Sequence, residues 1–303
     1  MRDEEVSLPA SNSGPTLRRA ESDCLSVSGR EMKLIPVGVA VVMFLGCINP
    51  NLTSDHPRMP ERGICAHRGA SHTHPENTMT ALRAAVRLGA QMIELDLAFS
   101  KDKRIVLMHD QTLDRTTNGK GRVSDWNVAD LAKLDAGSWK GKEFEGEGIP
   151  TFEEALDIMP DNIWLNIHLK GGIELAQEAT RLIRLKGRLH QAFLACGNDA
   201  ASAARAIEPR IKICNMERQS NTLDYVNQTI SSNREFIQLL GKGEVDPDHT
   251  AVLKENGIRI NYCCTNDPLV LVELFSRGVE FPLVDRLEMM LNEADKLGIP
   301  RAR

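Results

Sequence analysis

Apolar residues fall into three regimes along the chain. Residues 1–31 are polar and Ser-rich, with no periodic apolar face. Residues 34–47 are apolar almost without interruption. From residue 62 onward, short apolar runs alternate with amphipathic stretches. The runs predict strands at 64–70, 92–99, 104–108, 164–170, 193–196, 212–215, 236–240, 259–264 and 281–284. Apolar positions Met79, Leu82, Ala85 and Val86 predict a helix that Asn77 or Thr78 caps and Gly89 ends. Residues 173–185 and 200–207 predict two more helices. Alternating strand and helix is what a parallel α/β barrel requires, and a doubly wound sheet meets the same periodicity. Eight core strands remain if 104–108 belongs to the second βα unit.

The middle regime reads as an export signal. Met32-Lys33 precedes an apolar run of about twelve residues that ends in small residues, as a secretory signal does. A bilayer span needs roughly 20 apolar residues, so the run is short for a membrane helix. Leu45-Gly46-Cys47 resembles a bacterial lipobox, with Phe44 where leucine is usual. The expected organisation is therefore an extension at 1–31, disordered or preceding the true start at Met32. A lipoprotein-like signal at 32–47, a Pro-containing tether at 48–61 and a catalytic body at 62–303 follow. This predicts an extracytoplasmic protein, either anchored through lipidated Cys47 or secreted.

Composition narrows the function. With 42 acidic and 37 basic residues, the net charge of −5 gives no surplus positive field for nucleic acid. Aromatic residues make up 4%, with only 2 Tyr, so a base-stacking platform is not expected either. The seven cysteines show neither a CxxC pair nor zinc-ribbon spacing. Cys65, Cys196, Cys214 and Cys264 lie in apolar runs and read as buried free thiols.

Candidate chemistry gathers at three consecutive strand ends. The first strand ends in His67-Arg68-Gly69 and the third in His109-Asp110. The second carries Glu94 and Asp96, two apart and so on one face. Like charges held together need a cation, or one must be protonated. A metal site and an exposed strand face both satisfy the pair. His72 and His74 lie in the loop after the first strand and read as solvated.

His67-Arg68-Gly69, Pro75-Glu76-Asn77-Thr78, Glu94-Leu95-Asp96, His109-Asp110 and Asp114-Arg115-Thr116-Thr117-Asn118-Gly119 occur in this order. With Ile149-Pro150-Thr151-Phe152-Glu153-Glu154-Ala155-Leu156 they resemble the glycerophosphodiester phosphodiesterases, over about residues 62 to 290. The resemblance implies a TIM (β/α)8 barrel with a small insertion after the second βα strand region, at about 111–149. It implies hydrolysis of a glycerophosphodiester, or a related lipid head group, to glycerol 3-phosphate and an alcohol. His67 and His109 would be acid and base, and Arg68 would hold phosphate oxygens with its planar donor fork. Glu76 and Lys170 would also meet the substrate. Glu94 and Asp96 would hold one divalent cation, drawn from Mg, Ca, Mn or Zn.

Two positions depart from the family. His168 stands where a third acidic metal ligand is expected. As a ligand it would remove one negative charge and favour Mn, Zn or Fe over Ca or Mg. Otherwise the cation keeps two carboxylates, or the barrel is degenerate and binds phosphodiesters without turnover. Cys263 replaces an aromatic that helps to wall the substrate pocket. Trp139 could line a substrate cleft, but a tryptophan between Ser138 and Lys140 more often packs the insertion onto the barrel.

Overall fold

The computed structural model describes residues 56–241 and 244–303. The extension, the signal-like segment and Cys47 lie outside the described residues. Eight parallel strands close into a barrel: β1 (Cys65–Ala66), β2 (Met92–Phe99), β4 (Trp164–Leu169), β5 (Ala192–Cys196), β6 (Lys212–Asn215), β7 (Phe236–Leu240), β8 (Arg259–Cys263) and β9 (Phe281–Val284). Pairing of β1 with both β2 and β9 closes the ring. The remaining strand, β3 (Ile105–Leu107), runs antiparallel beside β2 as a hairpin arm and stays out of the ring. Its short length, three residues, leaves eight core strands.

Helices cover the outside: α1 (Met79–Leu88), α3 (Phe152–Ile158), α4 (Ile173–Leu185), α5 (Asn198–Ile207), α6 (Leu223–Ser231), α7 (Pro247–Glu255), α8 (Pro268–Ser276) and α9 (Leu287–Lys296). The fold is a TIM barrel. Between β3 and α3 lies a segment with one short helix, α2 (Val128–Leu131). Leu113, Val123, Leu131, Ala136 and Ile149 form its own apolar cluster, packed on Ala98, Val106 and Met108. No helix among the described residues is long and apolar enough to cross a membrane.

Strand periodicity sorts the core into two layers. Ile93, Leu95 and Leu97 of β2 face the helices. Met92, Trp164, Phe193, Phe236 and Phe281 fill the barrel. Phe193 and Phe236 stack at 3.9 Å, and Trp164 meets both edge-on. Below them Pro60 accepts a hydrogen bond from the Trp164 indole at 2.8 Å, so residues 59–61 pack against the barrel floor.

The strand expected at 64–70 shrinks to two residues. Arg68 takes a left-handed φ of 58°, which no strand tolerates, and the chain turns at once. Thr78, rather than Asn77, caps α1 through its hydroxyl, and Gly89 ends it at φ 85°. Cys65, Cys196 and Cys214 are buried free thiols. The reading of Cys264 as a fourth is corrected: it is bonded to Cys263 and only half-buried. Adjacent cysteines at the end of β8 reach the barrel mouth, where the apolar run no longer implies burial.

Candidate active site

The inward alternation of β2 brings Met92, Glu94 and Asp96 up the barrel wall in turn, ending at the carboxyl mouth. Parallel register then sets Glu94 beside Asn166 and Asp96 beside His168. Glu94 and Asp96 are 2% and 0% exposed, and His168 is half-buried. The three offer ligand atoms that lie within 4.8 Å of one another. His168 Nδ1 is 3.4 Å from Asp96 Oδ1 and 3.7 Å from Glu94 Oε1. Lys170 Nζ stands 3.0 Å from Asp96 Oδ1 and 3.1 Å from His168 Nδ1.

The charge balance of this group is set by its neighbours. Burial alone would raise the Asp96 pKa. The neighbouring His168 imidazole, the Lys170 ammonium and the Arg68 guanidinium overcome burial and hold it far below the ordinary carboxylate range. Burial likewise works against a charged His168, but the adjacent Asp96 and Glu94 carboxylates outweigh it and its pKa moves up.

Asn77 locks the geometry. Its Nδ2 donates to Asp96 Oδ2 at 2.8 Å, and its Oδ1 accepts from the Asp96 backbone N–H at 3.1 Å. Asp96 Oδ1 is left buried without a hydrogen-bonding donor. Lys170 is its ion-pair neighbour, not an aligned donor. An orphaned carboxylate oxygen facing a second carboxylate and an imidazole fits a divalent cation.

His67 follows β1, and its Nδ1 pairs with Asp285 Oδ1 at 2.8 Å. Asp285 follows β9, the neighbour of β1 in the ring. Asn266 fixes Asp285, donating to its Oδ2 at 2.9 Å and accepting from its backbone N–H at 2.8 Å. Burial lowers the His67 pKa, but the Asp285 bond and the Glu94 charge outweigh it, so the net shift is upward. The His67 bond is also the main cause that holds Asp285 low.

His109 lies two residues beyond β3, and its Nδ1 pairs with Asp110 Oδ1 at 2.7 Å. Arg115 donates to Asp110 Oδ2 at 2.7 Å and drives its pKa down to about 2. The same guanidinium holds both oxygens of Glu76 at 2.8 Å. Glu76 in turn accepts from Arg68 at 2.7 Å. Arg68, Glu76, Arg115, Asp110 and His109 thus form one hydrogen-bonded chain. The Arg68 backbone N–H donates to Glu94 Oε2 at 2.9 Å, which ties this chain to the carboxylates.

Two clefts open here. One of about 320 Å³ is lined by His67, Arg68, Glu76, Trp139 and Asp285. Trp139, which the sequence leaves open to cleft lining or packing, walls this cleft while its indole bonds back to Ala136. A second, of about 580 Å³, includes Lys170 with Phe99, Lys103, Arg122 and Ile173. The structure brings His67, Arg68, Glu76, Glu94, Asp96, His109, His168 and Lys170 to the same end of the barrel, where TIM-barrel sites lie. His72 is exposed and His74 half-buried in the adjacent loop.

Sequence reasoning missed the positioning roles of Asn77, Arg115, Asn266 and Asp285. Asp285 carried the clearest signal, since it directly follows the last strand.

The profile of the Glycerophosphoryl diester phosphodiesterase family matches residues 67–261. The chain belongs to this family. Among curated relatives, the Bacillus subtilis protein YhdW is 54% identical over 108 residues, 36% of this chain and 44% of YhdW. A glycerophosphodiester phosphodiesterase of Caldanaerobacter subterraneus is 48% identical over 113 residues, 37% of this chain and 46% of that one. This chain thus matches less than half the length of each. A phosphodiesterase of Oleispira antarctica, solved with the product sn-glycerol-3-phosphate, superposes with a TM-score of 0.71 at 25% identity. That match covers 79% of this chain and 97% of the other. The family assignment and the barrel therefore agree over the stretch that carries the site.

Proposed function

We propose that the protein is a metal-dependent phosphodiesterase that cleaves glycerophosphodiesters to glycerol 3-phosphate and an alcohol. One observation carries the reading: two carboxylate-paired histidines, Arg68 and the Glu94–Asp96–His168 group share one barrel mouth. The product-bound Oleispira relative supports the substrate class.

Arg68 presents donors to the phosphate oxygens, with Glu76 setting its orientation. Asp285 and Asp110 each hold an Nδ1, which leaves both Nε2 atoms for proton transfer. One imidazole takes the proton of the glycerol hydroxyl beside the phosphate, and that oxygen attacks phosphorus. The other gives a proton to the departing alkoxide. Water then opens the cyclic phosphate by the same exchange in reverse. A divalent cation at Glu94, Asp96 and His168 supplies positive charge where the phosphoryl oxygens gain negative charge. Nitrogen ligation by His168 favours Mn or Zn over Mg or Ca. Localisation outside the cytoplasm, with Cys47 as lipid anchor, belongs to the same proposal.

Glycerol 3-phosphate release, assayed with each of these cations, tests the reading. His67→Ala and His109→Ala should each lower kcat/KM by about 10² to 10⁴ with the fold intact. Substrate binding with no release under any cation would leave the barrel a binding protein instead.

A further inference from the structure

β8 ends in two adjacent cysteines, and both sulfurs stand beside His67. Cys263 and Cys264 are half-buried and rest on the apolar filling of the barrel. They are joined as a disulfide. Their sulfurs and a His67 ring nitrogen lie within 4.8 Å of one another. Asp285 already engages His67 Nδ1, so Nε2 is the nitrogen free to ligate. Cys65, Cys196 and Cys214 are buried, and burial pushes their thiols up, Cys196 to about 12. They compete poorly as thiolates.

We propose that Cys263, Cys264 and His67 form a second metal site that takes a thiophilic divalent cation once the disulfide is opened. Two soft sulfurs and an imidazole select Zn or Cd over Mg or Ca, and do so more strongly than the Glu94–Asp96–His168 group with its two oxygen donors and one nitrogen. Asp285 on Nδ1 supplies the carboxylate partner that metal-bound histidines commonly have. Opening needs a dithiol. The S–S bond takes two electrons and two protons from it, and the dithiol closes to its own disulfide. Cation binding then releases both thiol protons to solvent, while His67 contributes a neutral lone pair. Occupancy withdraws Nε2 from proton transfer and so stops turnover. That last clause rests on the proposed function; the metal site itself does not.

The test uses the full chain, reduced with a dithiol, desalted under nitrogen and titrated with Cd²⁺ in excess Mg²⁺. Sulfur-to-cadmium charge-transfer absorbance should rise to one equivalent per chain in the reduced protein and be missing from the disulfide form. Cys263→Ser/Cys264→Ser should abolish it, and Cys264→Ser alone serves if the double variant does not fold. His67→Ala should weaken affinity at least about tenfold, the scale of losing one metal-site partner. Absence of the band in reduced protein, its survival in the serine variants, or unchanged affinity in His67→Ala would overturn the site. A band that forms as expected with turnover intact would uphold the site and overturn the catalytic reading of His67.

Discussion

The two halves of the barrel do different work with the same architecture. From β1 to β4, every strand delivers ionisable groups to the mouth: His67 and Arg68, Glu94 and Asp96, His109, then His168 and Lys170. From β5 to β9, the interior carries Phe193, Phe236 and Phe281. Burying a carboxylate such as Asp96 costs several kcal/mol, and Lys170 and Arg68, which offset that cost, are themselves drawn out of water to do so. Burying a phenylalanine contributes about 1.5–3 kcal/mol. The reactive half is therefore held in shape by the apolar half. Closure of the ring, through β1 on β9, is what lets stability made on one side support charge on the other.

Substitutions can separate the halves. Phe236→Ala removes one face of the Phe193 stack and should lose about 3–5 kcal/mol of stability. Denaturant titration measures this, and turnover per folded molecule should stay near wild type. A large loss of turnover among folded molecules would show that the halves are not separable. His168→Glu acts on the other side. It should move the preferred activating ion towards Mg or Ca, read by metal titration of activity, with little change in Tm. The same ion preference in wild type and variant would remove His168 from the ligand set.

Asp285 crosses the divide, being the apolar half's contribution to His67, a proposed acid or base. The His67 pKa is raised in the folded state, so the pair's stability is complete below about 6.5 and is lost as pH rises through the folded value. The Asp285 pKa is lowered, so its share is complete above about 3.9 and is lost only in stronger acid. Asp285→Asn should therefore shift the His67 limb of the pH–kcat/KM profile to lower pH. An unmoved limb would mean that another group sets it.

Legibility followed the same divide. β2, α4, β6, β7 and β9 match the sequence periodicity residue for residue, because each is set by local alternation or a 3.6-residue stripe. Glu94 and Asp96 were readable together because period two puts them on one face. The Asp285–His67 contact joins residues 218 apart, and no local pattern encodes it. Asn77 looked like a cap because caps and carboxylate partners use the same side chains. Cys264 looked buried because an apolar run does not say where a strand leaves the core.

Arg68 and Asn77, at φ 58° and 56°, occupy backbone space that glycine fills without strain. Each costs about 1–3 kcal/mol there. For Arg68 the proposed phosphate contact needs the side chain, so folding and recognition would pull this position in opposite directions. Arg68→Gly would relieve that strain but strip Glu76 and the buried Asp96 of a cation, and under the proposed function it would also loosen the grip on phosphate. Selection for turnover should keep arginine there, and a glycine variant that retained turnover would remove Arg68 from the proposed phosphate site.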